Sequence, residues 1–277
     1  MAIREYFTSR YKDGFMVEVD YSQLEIYVLA FLSGDKQLRS DLLSGKDLHG
    51  INAEALFGPS YTKEQRTFAK RMSFQLQYGA GYASMAEKLG LDEDITKKFI
   101  ENYYSRYTGV KQWQDYQLNT AVAKRKPSKR RTANNRPAGI YTRRSTTGRR
   151  YTYYETDSPN WMRSDTSFNP PTLKNYPVQG LATGDIVPAM LGVLYKRLKD
   201  SGLRAKMVNT VHDSIMFDCP KEELDKLCAL IYGTLSTTKD MINKLYPDLY
   251  FDLELPFEIE YGKNLHEMEK YLLTRFE

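Results

Sequence analysis

Apolar and polar residues alternate along this chain with two different periods, and the switches between them mark out its elements. Phe15, Val17 and Val19 alternate with Met16, Glu18 and Asp20. A period of two is that of a strand, with Asp20 on the face opposite the Phe and Val side chains. Ser22 follows as a candidate helix cap, and Leu24, Tyr27, Val28 and Phe31 then recur at helical spacing until Gly34 stops the run. From Asp47 to about Tyr116 the period is helical, broken at Phe57-Gly58-Pro59 and Leu89-Gly90-Leu91, which predicts a helical lobe. Gln179 to Asp200 reads as helix again, with Pro188 expected to kink it and Gly202 to stop it. Two short strands flank His212-Asp213. Leu224, Leu227, Cys228 and Ile231 mark another amphipathic helix, and Leu253 to Tyr261 is strand-like. No internal repeat is visible.

Residues 124 to 150 have no sustained period and are rich in Pro, Gly, Ser and Thr, so loop is expected there, with room for a hairpin between Tyr141 and Tyr153. Charge makes this stretch distinctive. Between Asp115 and Glu155 no acidic residue occurs, but eleven basic ones do: Lys124, Arg125, Lys126, Lys129, Arg130, Arg131, Arg136, Arg143, Arg144, Arg149 and Arg150. The whole chain carries only +5, so everything outside this patch is net acidic. A solvated surface loop usually mixes signs, whereas a one-signed basic stretch suits a phosphate backbone.

The bulk numbers set bounds. At 277 residues and 41% hydrophobic, the chain can form one large domain or two lobes with a real core. The first residues, Met1-Ala2-Ile3-Arg4-Glu5-Tyr6, offer no apolar stretch for a signal peptide, and no segment approaches about 18 uninterrupted apolar residues. A cytoplasmic protein without membrane attachment is expected, in a host cytoplasm if the source is viral. Cys219 and Cys228 stand nine apart with no neighbouring His, which argues against a disulfide framework or a zinc site and for buried free thiols.

Candidate chemistry lies at two aspartates far apart in sequence. Asp20 ends the run Phe15-Met16-Val17-Glu18-Val19, and Asp213 sits inside the run from Met207 to Phe217. Each alone reads as a helix cap or a turn residue. Carboxylates that converge at strand ends repel one another unless cations lie between them, the arrangement that holds two divalent metals for phosphoryl transfer. Between the two in sequence, Arg66, Lys70, Phe74 and Tyr78 recur every four residues. On a helix that spacing drifts by about 40° per step and makes one slowly turning stripe. Two cations lead, where a triphosphate can lie, and two aromatics follow, where a base and sugar can stack. Phe74 and Tyr78 by themselves would read as core residues.

Three motifs now carry a resemblance. Asp20-Tyr21-Ser22-Gln23-Leu24-Glu25 resembles motif A of the family A (DNA polymerase I type) DNA polymerases; Arg66, Lys70, Phe74 and Tyr78-Gly79 resemble motif B, and Val211-His212-Asp213 resembles motif C. Their order is also the family's. The resemblance implies template-directed DNA synthesis with two Mg²⁺ ions held by Asp20, Asp213 and the Tyr21 carbonyl, and with Lys70 counted beside the two aspartates as catalytic. It places Arg66 and Lys70 on the phosphates of an incoming dNTP together with His49, which matches the family's Asp-Ile-His segment. Phe74 and Tyr78 would face its sugar and base, and Glu25, with Gln23 beside it, would exclude a 2′ hydroxyl by bulk. Asn175, Gln179, His212, Arg149 and Arg150 fall where relatives contact primer-template DNA. Ser214, by contrast, occupies the place of a glutamate that helps organise the metal site.

The expected fold class is α+β: a polymerase palm, an antiparallel sheet with packing helices, formed by residues 1–35 and 166–277, with a helical fingers subdomain inserted at 36–165 and carrying the basic loop 124–150. The same resemblance leads us to expect that thumb and exonuclease domains are absent from this chain. The expectation is therefore the C-terminal piece of a split, bacteriophage-like replicative polymerase, its thumb and exonuclease supplied by a second polypeptide. A degenerate remnant that binds nucleic acid without synthesis is the alternative. A two-metal nuclease gives no reason for the stripe from Arg66 to Tyr78.

Overall fold

β1 (Phe15–Tyr21) is the middle strand of a five-stranded antiparallel sheet in the computed structural model, which describes residues 3–77, 80–160 and 162–272. The chain divides into two compact units, one of residues 1–27 and 180–277, the other of residues 28–179. α1 (Leu24–Ser33) leads from the first into the second.

The second unit is helical in its first part: α2 (Lys36–Leu43), α3 (Leu48–Phe57), α4 (Lys63–Gln77), α5 (Tyr82–Leu89), α6 (Glu93–Arg106) and α7 (Thr108–Ala123). The glycines expected to break the helical run do so by geometry, since Gly58 and Gly90 sit at φ +87° and +66°, where other residues are strained. Two buried aspartates fasten these helices. Asp35 caps α2 through Leu38 N–H at 2.7 Å and also accepts from the Gly109 and Val110 amides at the start of α7. Asp41, fully buried, accepts two-point hydrogen bonds from Arg106 at 2.7–3.0 Å and a further one from the Tyr107 hydroxyl at 3.2 Å.

Residues 124 to 150 are more regular than the loop expected from their composition, although the hairpin allowed for between Tyr141 and Tyr153 is there, with those two residues directly paired. β2 (Lys126–Arg131), β3 (Pro137–Arg144) and β4 (Arg150–Tyr154) form a three-stranded antiparallel sheet in that order. Tyr141, Tyr151 and Tyr153 point inward into a cluster with Ala121, Phe168 and Leu173, and Tyr141 stacks on Tyr153 at 5.9 Å. Arg125 pins the sheet to Glu155 with two bonds of 2.7 and 2.8 Å. Aromatic burial on one face outweighs the poor strand propensity of the charged, exposed face. A short ladder, β5 (Thr156–Asp157) with β6 (Thr166–Ser167), follows.

α8 (Pro170–Leu181) continues through a π-helical turn at Ala182–Ile186 into α9 (Val187–Asp200). Pro188, where a kink was expected, follows directly on that wide turn. Lacking an N–H, it sits in the first turn of α9, and the wide turn just before it takes up the irregularity, with Val187 N–H bonding back to Ala182. By length and composition the run is apolar enough to cross a membrane, a test that the buried core helix of a globular protein also passes.

The first unit is completed by β7 (Lys206–Val211), β8 (Ser214–Cys219), α10 (Leu224–Leu235), α11 (Thr238–Leu245), β9 (Phe257–Gly262) and β10 (Met268–Lys270), with the sheet ordered β10-β9-β1-β8-β7. One face is core: Val17, Val19, Ile215, Phe217 and Cys219 are all at most 1% exposed. Tyr232 of α10 packs on Phe257 there, and the Tyr21 hydroxyl meets Thr238 of α11 at 2.8 Å. Truncating a side chain such as Phe217 would cost about 3–5 kcal/mol. Strand alternation then puts Glu18, Asp20, Glu258 and Glu260 on the opposite, open face.

Candidate active site

The register of β1 against β8 decides where the two aspartates go. Asp20 pairs with Ser214, so Asp213, one residue earlier in the turn from β7, lies beside the end of β1. Tyr21 N–H approaches the Asp213 carbonyl at 3.5 Å, and the two carboxyls are close enough to share a hydrogen bond when one is protonated. Asp20, Asp213, His212, Glu18, Glu258 and Glu260 all line one open cavity of about 500 Å³.

Across the other edge of β1, Asp20 stands directly opposite Glu258 and Glu18 opposite Glu260. Like charges at such positions destabilise a sheet. Arg4 bonds Glu18 at 2.6 Å and Lys270 bonds Glu258 at 2.7 Å, which offsets part of the charge. The remainder falls on Asp20. Burial, then the neighbouring Asp213, Glu18, Glu258 and Glu260 carboxylates, push its pKa up to about 6; burial also raises Asp213. Such a pair favours a bound cation. Among the described residues no three acidic, histidine or cysteine side chains converge tightly enough to hold a metal ion unaided. Two carboxylates still fit Mg²⁺, which takes one or two protein carboxylates and fills its shell with water and substrate phosphates.

Both turns beside this cavity are strained. Gln23, just before α1, has φ +59°, and His212, the first residue of the two-residue turn between β7 and β8, has φ +55°. Side chains at such angles cost of order 1–3 kcal/mol and cluster at functional sites. Ser214 is buried, its carbonyl accepting from the Thr210 hydroxyl at 2.9 Å. Tyr21 turns its ring into the core, leaving only its backbone to serve a metal.

In the second unit, α4 presents Arg66, Lys70 and Phe74 as the expected stripe; Tyr78 lies outside the described residues. Lys70 Nζ is 5.8 Å from the Phe74 ring centre, and that ring lies 5.8 Å from the His49 ring of α3. His49 is buried, and its Nδ1 has no hydrogen-bond partner. Burial, and then the Lys70 charge, lower its pKa to about 4, so it is neutral at physiological pH. An orphaned buried nitrogen that feels two cations, on a ring packed against an aromatic one, is a site for a ligand oxygen or a water. Arg66, however, is engaged by Asp47 at 2.6 and 2.9 Å.

The remaining candidates are dispersed within their units. Glu25 lies in the first turn of α1. Asn175 and Gln179 are one helical turn apart on α8, Asn175 buried with an unpartnered Oδ1. Arg150 opens β4 directly opposite Arg144 of β3, and Arg149 precedes it in the connecting turn. Sequence reasoning missed Glu18, Glu258 and Glu260 as cavity residues and Asp47 as the partner of Arg66. For the glutamates a signal existed, since each shares the parity of a polar strand face; Asp47 stands in the segment that singled out His49, but nothing in the sequence tied it to Arg66.

The sequence profile described as DNA polymerase family A matches residues 1–267. The chain belongs to this family. It is 29% identical over 255 residues to DNA polymerase I of Chloroflexus aurantiacus, covering 91% of this chain and 24% of that protein. To DNA polymerase I of Geobacillus stearothermophilus it is 31% identical over 232 residues, covering 83% and 24%. Among solved structures it resembles the POL domain of Pol1 from M. smegmatis in complex with DNA primer-template and dNTP, with a TM-score of 0.69 and 25% identity over 95% of this chain and 42% of that one. The chain thus spans about a quarter of the length of the curated relatives it matches. The α+β fold with its antiparallel sheets is that of a family A polymerase domain.

Proposed function

We propose that this chain carries the nucleotidyl-transfer centre of a DNA polymerase and extends a primer 3′ end with deoxynucleotides on a template strand. The observation that carries this reading is the meeting of Asp20 and Asp213 in one under-neutralised acidic cavity, since the sheet retains at neutral pH a repulsion that a bound cation would relieve. Asp20, Asp213 and the Tyr21 carbonyl would hold Mg²⁺, two ions in a full site. Bound magnesium supplies activation of the attacking hydroxyl and charge stabilisation on the leaving pyrophosphate.

The protein's own groups do the positioning. Arg66 and Lys70 bind the triphosphate as fixed cations, and neutral His49 offers Nδ1 to a phosphate oxygen or to a water beside it. Phe74 packs against the nucleotide sugar and Tyr78 against the base, while Glu25 and Gln23 exclude the ribose hydroxyl. Asn175 and Gln179 contact the minor groove near the primer end, His212 the primer backbone, and Arg149 and Arg150 the duplex phosphates. In this reading residues 1–35 and 166–277 form the palm and 36–165 the fingers.

Primer extension with Mg²⁺ tests the proposal: Asp20→Ala or Asp213→Ala should abolish it while leaving primer-template binding in place. Ser214, lacking the carboxylate expected there, favours the second reading, a remnant that binds nucleic acid without synthesis; equal, background-level incorporation by the wild type and both variants, with a thumb-bearing polypeptide present as well as without it, would select it. Running the assay with and without a thumb-bearing polypeptide tests the split arrangement.

A further inference from the structure

Asp47 holds the very cation that a phosphate would need. Its carboxylate grips Arg66 at two points, 2.6 Å to Nε and 2.9 Å to Nη2, the planar contact that a guanidinium also makes with phosphate. Asp47 occupies the N-cap position of α3, where an aspartate ordinarily turns back onto the first amides; here its carboxylate forms no regular cap bond and is turned to Arg66, with the Gly50 amide close enough to help lower its pKa. The fold makes room for this placement. A Cβ on Gly50 would come within 2.6 Å of both Asp47 Oδ2 and the Tyr61 hydroxyl, so any larger residue would push the carboxylate aside. Next to it lies the buried, unpartnered Nδ1 of His49. The grip is also weak enough to break: side-chain exposures of 41% and 43% leave it screened by water.

We infer that Asp47 is a displaceable stand-in for phosphate, occupying Arg66 while the site is free of nucleotide and releasing it to an incoming nucleoside triphosphate, so that it sets affinity for that substrate. The inference rests on the reading that the α4 cations receive the triphosphate. It makes Asp47 a positioning and affinity residue that works against binding.

Inorganic triphosphate, titrated into the full chain by calorimetry in metal-free buffer at fixed salt, tests it. Asn is as good a helix cap as Asp, so Asp47→Asn preserves the start of α3, which circular dichroism and the urea midpoint would verify. Asp47→Asn is expected to bind triphosphate about two- to fivefold more tightly than wild type, from the modest strength of an exposed ion pair. Arg66→Gln should bind more weakly, and adding Asp47→Asn to it should bring back little of the loss. Unchanged or weaker binding by Asp47→Asn overturns the inference, as does an equal gain in the Arg66→Gln background, which would mean that only net charge had changed. If neither wild type nor any variant binds triphosphate, the phosphate-site reading itself falls and this inference with it. A wild type that binds, loses binding on Arg66→Gln and ignores Asp47→Asn overturns the inference alone.

Discussion

Replacing Asp20 with Asn should make the metal-free protein more stable. Asp20 has its pKa raised from 3.8 to about 6 in the folded chain, first by burial and then by Asp213, Glu18, Glu258 and Glu260. An acid with a raised folded pKa penalises folding when ionised. Below pH 4 the group is protonated in both states and no penalty exists; between about 4 and 6 the penalty grows; above 6 it is complete. Two pKa units would amount to about 3 kcal/mol in a dry site, but Asp20 is more than a third exposed, and solvent screening reduces this to about 1 kcal/mol. Asn keeps the shape and removes the charge. At pH 7.5 in EDTA and low salt, Asp20→Asn should therefore raise Tm by about 2 °C, with the gain shrinking as the pH is lowered to 4 and as salt is added. Magnesium should reverse the order, stabilising wild type by native-state binding and leaving Asp20→Asn unmoved. A variant that is less stable than wild type at pH 7.5, or whose gain is equal at pH 4, would refute the claim that this cavity stores carboxylate repulsion.

Four further outcomes are expected. His212→Gly should gain about 1 kcal/mol in urea unfolding, because φ +55° costs glycine nothing; a loss would show that the turn is not strained. Asp41→Ala should cost about 3–5 kcal/mol, since Arg106 and Tyr107 would lose a fully buried partner; the Arg106 bonds hold the Asp41 carboxyl below its usual range despite burial, so the stability it contributes is present at neutral pH and is lost as the pH falls through that lowered value. Cys219 and Cys228, buried and pushed up to about 12, should resist a thiol reagent at pH 8 in the folded protein and both react in denaturant. Arg149→Gln with Arg150→Gln should flatten the salt dependence of primer-template binding by about 0.9 log units for each phosphate that the two arginines neutralise; an unchanged slope would place those side chains off the DNA.

Where the sequence could be read, one physical cause dominated each segment. In Phe15–Tyr21 burial on one side of a sheet imposes a period of two, and that period alone put Asp20 on the open face. Gly58 and Gly90 could be read because left-handed backbone demands them. In the stretch from 124 to 150 the hairpin at Tyr141 to Tyr153 was legible but the third strand, Lys126–Arg131, was not, because the strand signal lies in the inward tyrosines 141, 151 and 153 while arginines and lysines dominate the composition without determining its backbone. Pro188 could be read in part: its missing N–H predicted a defect in the helix, and that defect lies in the widened turn just upstream. At the site the limit is of a different kind. Motif spacing fixes which side chains a helix or strand presents, so Arg66, Lys70 and Phe74 fell on one stripe as expected. It is blind to what crosses from another element, and most of the interactions that set the electrostatics here are of that sort. Asp47 reaches Arg66 from 19 residues away, and Glu258 faces Asp20 only because β9 lies beside β1. The charge balance of both sites is therefore a property of strand order and helix packing as much as of motif residues.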